Sequence, residues 1–208
     1  MIVSNAGANL GNSNLIMPVG GSAPGGPHAS IKVYNCANQE VSSSFLYGNV
    51  VSVTANSLFY ALYTTKSQLS LYSARSMQVI KDRLQLDNVC MLASTDGKEE
   101  ESGPQPHSQM ALMMQAPQVQ GRICTISLKG VVSLFKVKDE QSLQSCMLEW
   151  QASLAEPLKA RNPQNQSAGE PITPVYVEDL RVTPDGTVIV FFTDRSRFEY
   201  HQETRLWR

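Results

Sequence analysis

Histidine is scarce in this 208-residue chain: His28, His107 and His201 are the whole supply. Two of them fall in Pro/Gly-rich segments, where local sequence prepares neither a metal site nor a nucleophile-base pair. Cysteine is as sparse. Cys36, Cys90, Cys124 and Cys146 stand far apart with no CxxC pair, which argues against a zinc ribbon or a dense disulfide framework and leaves buried, reduced thiols as the expectation. No Lys/Arg-rich run is present, and 17 basic against 18 acidic residues give a net charge of -1, so direct nucleic-acid binding is not expected. No apolar run approaches the roughly 20 residues of a membrane span. The first residues hold no cationic segment followed by an apolar core, so no secretory leader is expected and an intracellular address is. The sequon Asn165, Gln166, Ser167 then reads as a chance match.

Other catalytic patterns are missing too. The glycine-rich stretch Val19 to Pro27 lacks the Lys and Ser/Thr of a phosphate-binding loop. Glu178 and Asp179 are neighbours in a strand pattern, where adjacent side chains point to opposite faces and share no substrate. No catalytic residue, cofactor site or metal site is therefore assigned. With 42% hydrophobic and 17% charged residues, the composition is that of a globular domain with a real core.

What the sequence does contain is a repeated design: an apolar strand, a tight polar turn, and a second strand carrying an aromatic. It occurs at Leu58 to Tyr72 with the turn Thr65, Lys66, Ser67; at Ile123 to Val137, turning at Lys129 and Gly130; and at Thr187 to Tyr200, turning at Asp194, Arg195, Ser196. The turns recur at roughly 64-residue spacing, as expected of one supersecondary unit that stacks like propeller blades.

Around these units, Ile31 to Tyr34 and Val41 to Ser44 predict a first hairpin, and Val50 to Ile80 predicts four short strands. Met110 to Met114 reads as a further strand whose methionines fill core. Residues 1–30, rich in Gly, Ser, Asn and Pro, read as a flexible lead-in to a domain at 31–208. Loop insertions are expected near 95–108, with its three glutamates, and at 160–174. Leu143, Met147, Trp150, Leu154 and Leu158 recur at helical spacing, predicting a short helix crossing the stack, although Trp150 and Leu154 suit a core in strand form as well. The sequence reaches Trp207 and Arg208 without a cap or polar tail, so a fragment of a longer protein is expected.

Leu69 to Ala93, LSLYSARSMQVIKDRLQLDNVCMLA, resembles the C-terminal region of HIRA-type histone chaperone subunits, where "YSA" follows an aromatic-ended hairpin and leads to a basic stretch and the next blade. Similar stretches follow in the same order: GVVSLFKV at Gly130 to Val137, SLAEPL at Ser153 to Leu158, and VTPDGTVIVFFTDRSRFEYHQETRLW at Val182 to Trp207. The likeness covers about residues 31 to 208. Ser76 and Met77 stand where the family has a basic pair, and Phe135 and Lys136 replace a Trp-Asp pair.

The resemblance implies the assembly end of a nuclear complex that deposits histones outside DNA replication and influences transcription. Its partners would be other chaperone subunits, further copies of itself, and histones indirectly. The expectation is thus an all-β, β-propeller-like domain of WD type, with stacked antiparallel blades and a short helical crossover, acting as a non-enzymatic scaffold. Asp194, Arg195, Arg197 and Arg205 are the candidate partner contacts, because the Arg fork pairs with carboxylates. The rivals are a generic WD-like scaffold of another trafficking or nuclear complex, and a propeller-type hydrolase, which would need His and acidic residues converging in one pocket.

Overall fold

The computed structural model describes residues 15–23, 26–34, 39–96, 120–138, 145–159 and 175–208. Within them lie three four-stranded antiparallel sheets, each a simple meander, preceded by a three-stranded one. The leading sheet holds β1 (Leu15–Ala23), β2 (Gly26–Tyr34) and β3 (Glu40–Tyr47). The first blade runs β4 (Val50–Ala55), β5 (Phe59–Thr64), β6 (Gln68–Ser73), β7 (Val79–Gln85). The second runs β8 (Val89–Asp96), β9 (Gln120–Ser127), β10 (Val131–Lys138), β11 (Cys146–Ser153). The third runs β12 (Val177–Val182), β13 (Val188–Phe192), β14 (Arg197–His201), β15 (Leu206–Trp207). The one helix among the described residues, α1 (Ala155–Lys159), is a single turn after β11. First strands meet across blades, β4 against β8 and β8 against β12, which is how propeller blades meet at their inner ends.

The three hairpins expected from the sequence are the central pairs of the three blades, β5–β6, β9–β10 and β13–β14. They close with the same turn. The amides of Ser67, Gly130 and Arg195 donate to the carbonyls of Thr64, Ser127 and Phe192 at 3.0, 2.9 and 2.9 Å. Those three donors hold φ of +58°, +73° and +68°, the left-handed residue that ends a three-residue hairpin loop. Only the middle unit uses glycine there, which is why the shared geometry is hard to see from residue identity.

The central strands of the first two blades divide their side chains between two seams. Phe59, Ala61, Tyr63, Leu69 and Leu71 of the first blade pack with Ile123, Phe135 and Val137 of the second. The opposite side of the second blade, with Cys124, Ile126, Val132 and Leu134, packs on Leu180, Val182, Val188, Val190 and Phe192 of the third. On the leading side, Leu46 of β3 covers Tyr60, Leu62 and Tyr72, whose rings include a stacked Tyr60–Tyr72 pair 5.0 Å apart. Burial is accordingly continuous along β5. It alternates along β13, where Val188, Val190 and Phe192 are buried and Ile189 and Phe191 only partly so.

Three expectations are corrected. Cys146–Ser153 is strand rather than helix: seven residue pairs tie it to β10, and that ladder outweighs a helical spacing whose members Met147 and Leu158 are exposed. Residues 15–23 and 26–30, read as part of the lead-in, lie in strands: β1 pairs with β2 and β2 with β3, a ladder that satisfies the backbone of a Gly-rich segment without large side chains. Of the described thiols, Cys124 is buried but Cys90 is exposed and Cys146 lies between. The insertions beyond Asp96 and at 160–174, the Met110 to Met114 strand, Cys36, His107 and the sequon lie outside the described residues.

A Cβ at Gly121 would fall 2.6 Å from Phe59 Cε1 and 3.0 Å from Asn56 Nδ2, so Gly121→Ala should overpack the first seam and cost about 1–3 kcal/mol. At Gly130 the space is open, with only Leu154 Cβ at 3.8 Å, so Gly130→Ala should cost about 1 kcal/mol through its left-handed φ alone. Urea denaturation of both variants checks the ranking.

Candidate interaction surface

Polar clamps fix each seam at its ends. At the first, Asn56 leaves β4 and its Oδ1 accepts from the amides of Leu58 (3.0 Å) and Phe59 (2.9 Å), shaping the tight corner into β5. Its Nδ2 donates to the Thr95 carbonyl of β8 at 2.8 Å. Ser57 adds two bonds, amide and hydroxyl, to Asp96 Oδ1 at 2.9 Å each. Tyr63 hydroxyl donates to the Asp87 carbonyl (3.3 Å) and accepts from the Val89 amide (3.0 Å), and buried Ser145 donates to the Ile80 carbonyl at 3.0 Å.

At the second seam a bulge does the positioning. Trp150 opposes Leu134 and Leu148 opposes Phe135, which leaves Glu149 as the extra residue of β11. Bulges re-aim side chains, and this one brings Glu149 Oε2 within 3.0 Å of Arg122 Nε on β9. Arg122 Nη1 reaches on to the Pro184 carbonyl in the β12–β13 turn at 2.6 Å. Nearby, the rings of Trp150, Tyr200 and Trp207 pack in series with tilted planes, centroids 4.3 and 5.1 Å apart, and Trp207 Nε1 donates to the Ser153 carbonyl at 2.9 Å. The turn that receives Arg122 is itself tightly bonded: Asp185 accepts from the Thr183 and Thr187 hydroxyls. Those bonds, led by the one from Thr183, hold its carboxyl below the ordinary value.

The four sequence candidates do not gather at one point. Asp194 and Arg195 form the β13–β14 turn, where Asp194 Oδ1 accepts from the amide and hydroxyl of Ser196 (3.1 and 2.8 Å). Arg197 begins β14 and lies 3.7 Å from Glu199. Arg205 sits in the turn at the other end of β14, its amide bonded to the His201 carbonyl. The sequence reading passed over Asn56, whose cross-blade partner Thr95 lies 39 residues on, and Arg122 and Glu149, which meet only through a bulge between strands distant in sequence.

Between the first and second blades lies an open notch of about 250 Å³, lined by the β5–β6 and β9–β10 turns through Ser67, Ser127, Leu128 and Lys129 and by Asp87 and Asn88. It holds one exposed ion pair, Lys129 to Asp87 at 3.3 Å, and no histidine. Among the described residues no three His, Cys, Asp or Glu side chains converge as a metal site would need. Burial raises the thiol of Cys146 to about 11 and that of Cys124 further, so both stay protonated and unreactive near neutral pH.

No protein-family model matches the chain, and no curated protein matches it. Among solved structures, the crystal structure of HIRA(644-1017) superposes with a TM-score of 0.60 at 11% identity, over 95% of this chain and 49% of that one. The likeness is one of fold, and the fold is all-β and propeller-like, with stacked four-stranded antiparallel blades. The chain spans about half the length of the HIRA structure it matches. A second match, the WD40 domain of coronin from Toxoplasma gondii, has a TM-score of 0.45 and 13% identity, over 93% of this chain and 41% of that one.

Removing Arg122 leaves Glu149 and the Pro184 carbonyl without their shared donor. With side chains 19% and 17% exposed, Arg122→Met should cost about 1–3 kcal/mol, and a double-mutant cycle with Glu149→Gln in thermal unfolding should show coupling between the two. Asp185 contributes stability that is present above the ordinary carboxylate pKa and lost as pH falls through its depressed folded value. Asp185→Asn should therefore lower the melting temperature at neutral pH, and the gap from the parent protein should close under acid conditions.

Proposed function

We propose that this chain is a non-enzymatic interaction scaffold of a HIRA-like histone chaperone complex in the nucleus, serving replication-independent nucleosome assembly and transcription regulation by bringing subunits together. The observation that carries this reading is the superposition on HIRA(644-1017) over 95% of the chain. The ordered likeness of Leu69 to Ala93, Gly130 to Val137 and Val182 to Trp207 supports it from the residues. The broader form of the proposal is a WD-like scaffold that holds other proteins on rigid, stacked sheets. Asp194, Arg195 and Arg197, at one end of the last blade, and Arg205 at the other, are its proposed partner contacts.

Affinity capture of the tagged chain from a nuclear extract, with mass-spectrometric identification, tests it. Enrichment of chaperone subunits is expected. Enrichment of a different complex would replace the HIRA-like reading with the broader one.

A further inference from the structure

At the end of the second seam where β9 begins and β10 ends, apolar rows give way to polar ones. Cys124 and Ile126 of β9 enter that seam while Ile123 enters the first, and strand alternation carries the pattern on to Gln120 and Arg122 on the second face. β10 behaves alike. Val132 and Leu134 enter the second seam, Phe135 and Val137 the first, which places Lys136 and Lys138 on the face of Gln120 and Arg122. The register pairs Arg122 with Lys136 and Gln120 with Lys138. Four donor-bearing side chains thus spring from a patch about 5 by 7 Å.

Three of the four are cations, and the fourth points to a ligand. Gln120 is 4% exposed, yet its Nε2 has no hydrogen-bond partner, a state in which buried amide donors are rarely left. Arg122 is already engaged, Nε with Glu149 at 3.0 Å and Nη1 with the Pro184 carbonyl at 2.6 Å. The cover given by the third blade stops at that turn, and Lys136 and Lys138 are half-buried rather than enclosed. Three positive charges therefore face Glu149, with Asp185 across the turn held by the Thr183 and Thr187 hydroxyls.

We propose that Gln120, Lys136 and Lys138 form a binding site for a side-chain carboxylate carried by an acidic segment of a partner protein. One oxygen accepts from Gln120 Nε2 and the other from Lys138 Nζ, while Lys136 adds charge from the next row. An amide and an ammonium match the two oxygens and single charge of a carboxylate; a phosphate dianion is served best by a guanidinium fork, and that of Arg122 is engaged. Glu149 already seats a carboxylate at this end of the seam. The amide is more deeply buried than Lys138, so the ligand enters past that lysine, and the longer stem of glutamate suits the depth. The proposal rests on the scaffold reading in one respect, that the ligand belongs to a protein.

Fluorescence anisotropy of a labelled hexaglutamate peptide, titrated with the full chain at low salt, reads the site. The parent should bind it and not hexaglutamine, and added salt should weaken the complex. Lys138→Glu should weaken it about tenfold or more. Gln120→Met is the sharper variant, because it keeps the net charge and removes a buried donor without a partner: the unfolding midpoint should hold or rise while binding falls by about three- to tenfold. Lys66→Glu, in the turn at the far end of the first blade, should bind like the parent. A parent that ignores the peptide overturns the proposal, as does Gln120→Met binding as tightly as the parent, the mark of unspecific charge attraction. A phosphoserine peptide of equal charge that binds more tightly overturns the carboxylate assignment. Capture of chaperone subunits by a chain that does not bind the peptide overturns the site and keeps the scaffold reading; peptide binding without that capture supports the site and removes the HIRA-like reading.

Discussion

Apolar side chains meeting between neighbouring sheets are the contact on which the rest of this structure depends. Three meanders of four short strands have little stability separately, since a lone sheet leaves both faces in water. Stacked, the central hairpins bury Phe59, Leu69 and Leu71 against Ile123 and Phe135, then Cys124 and Leu134 against Val188 and Phe192. Phe59 packs over Gly121 so closely that no Cβ would fit there without a shift. The polar clamps act around this contact: Asn56 at one seam and Arg122 at the other fix relative placement, while burial supplies most of the driving force.

How much of this was legible in sequence depended on whether the deciding interaction was local. Hairpin turns are local, so Thr65 to Ser67, Lys129 with Gly130, and Asp194 to Ser196 marked the central pair of every blade. The four strands expected between Val50 and Ile80 from alternation are β4 to β7, the last running on to Gln85. Residues 146–153 went astray because Met147, Trp150 and Leu154 fall at helical intervals by chance, and what makes them strand is pairing to β10, a partner the segment itself does not encode. The lead-in reading of 15–30 has the same origin. Arg122, Glu149 and Pro184 assemble from three strand pairs and a bulge, so no motif announces them.

The proposed scaffold role rests on these same seams. Apolar packing and polar clamps hold each blade against its neighbour, so the turns at the blade ends keep set positions. A surface on a stiff support loses little conformational entropy when it docks. Among the described residues no three His, Cys, Asp or Glu side chains gather as a metal site would need, and the most buried thiol, Cys124, is enclosed by the second seam.

The clamps between blades have a common grammar. Asn56, Tyr63, Ser145, Arg122 and Trp207 each reach across to a carbonyl, those of Thr95, Asp87, Ile80, Pro184 and Ser153. A carbonyl is supplied by every amino acid, so the receiving half of each link is indifferent to mutation so long as the chain passes through the same point. Such an architecture can drift through most of sequence space with its joints intact, which gives a physical reason why two proteins only 11% identical still superpose.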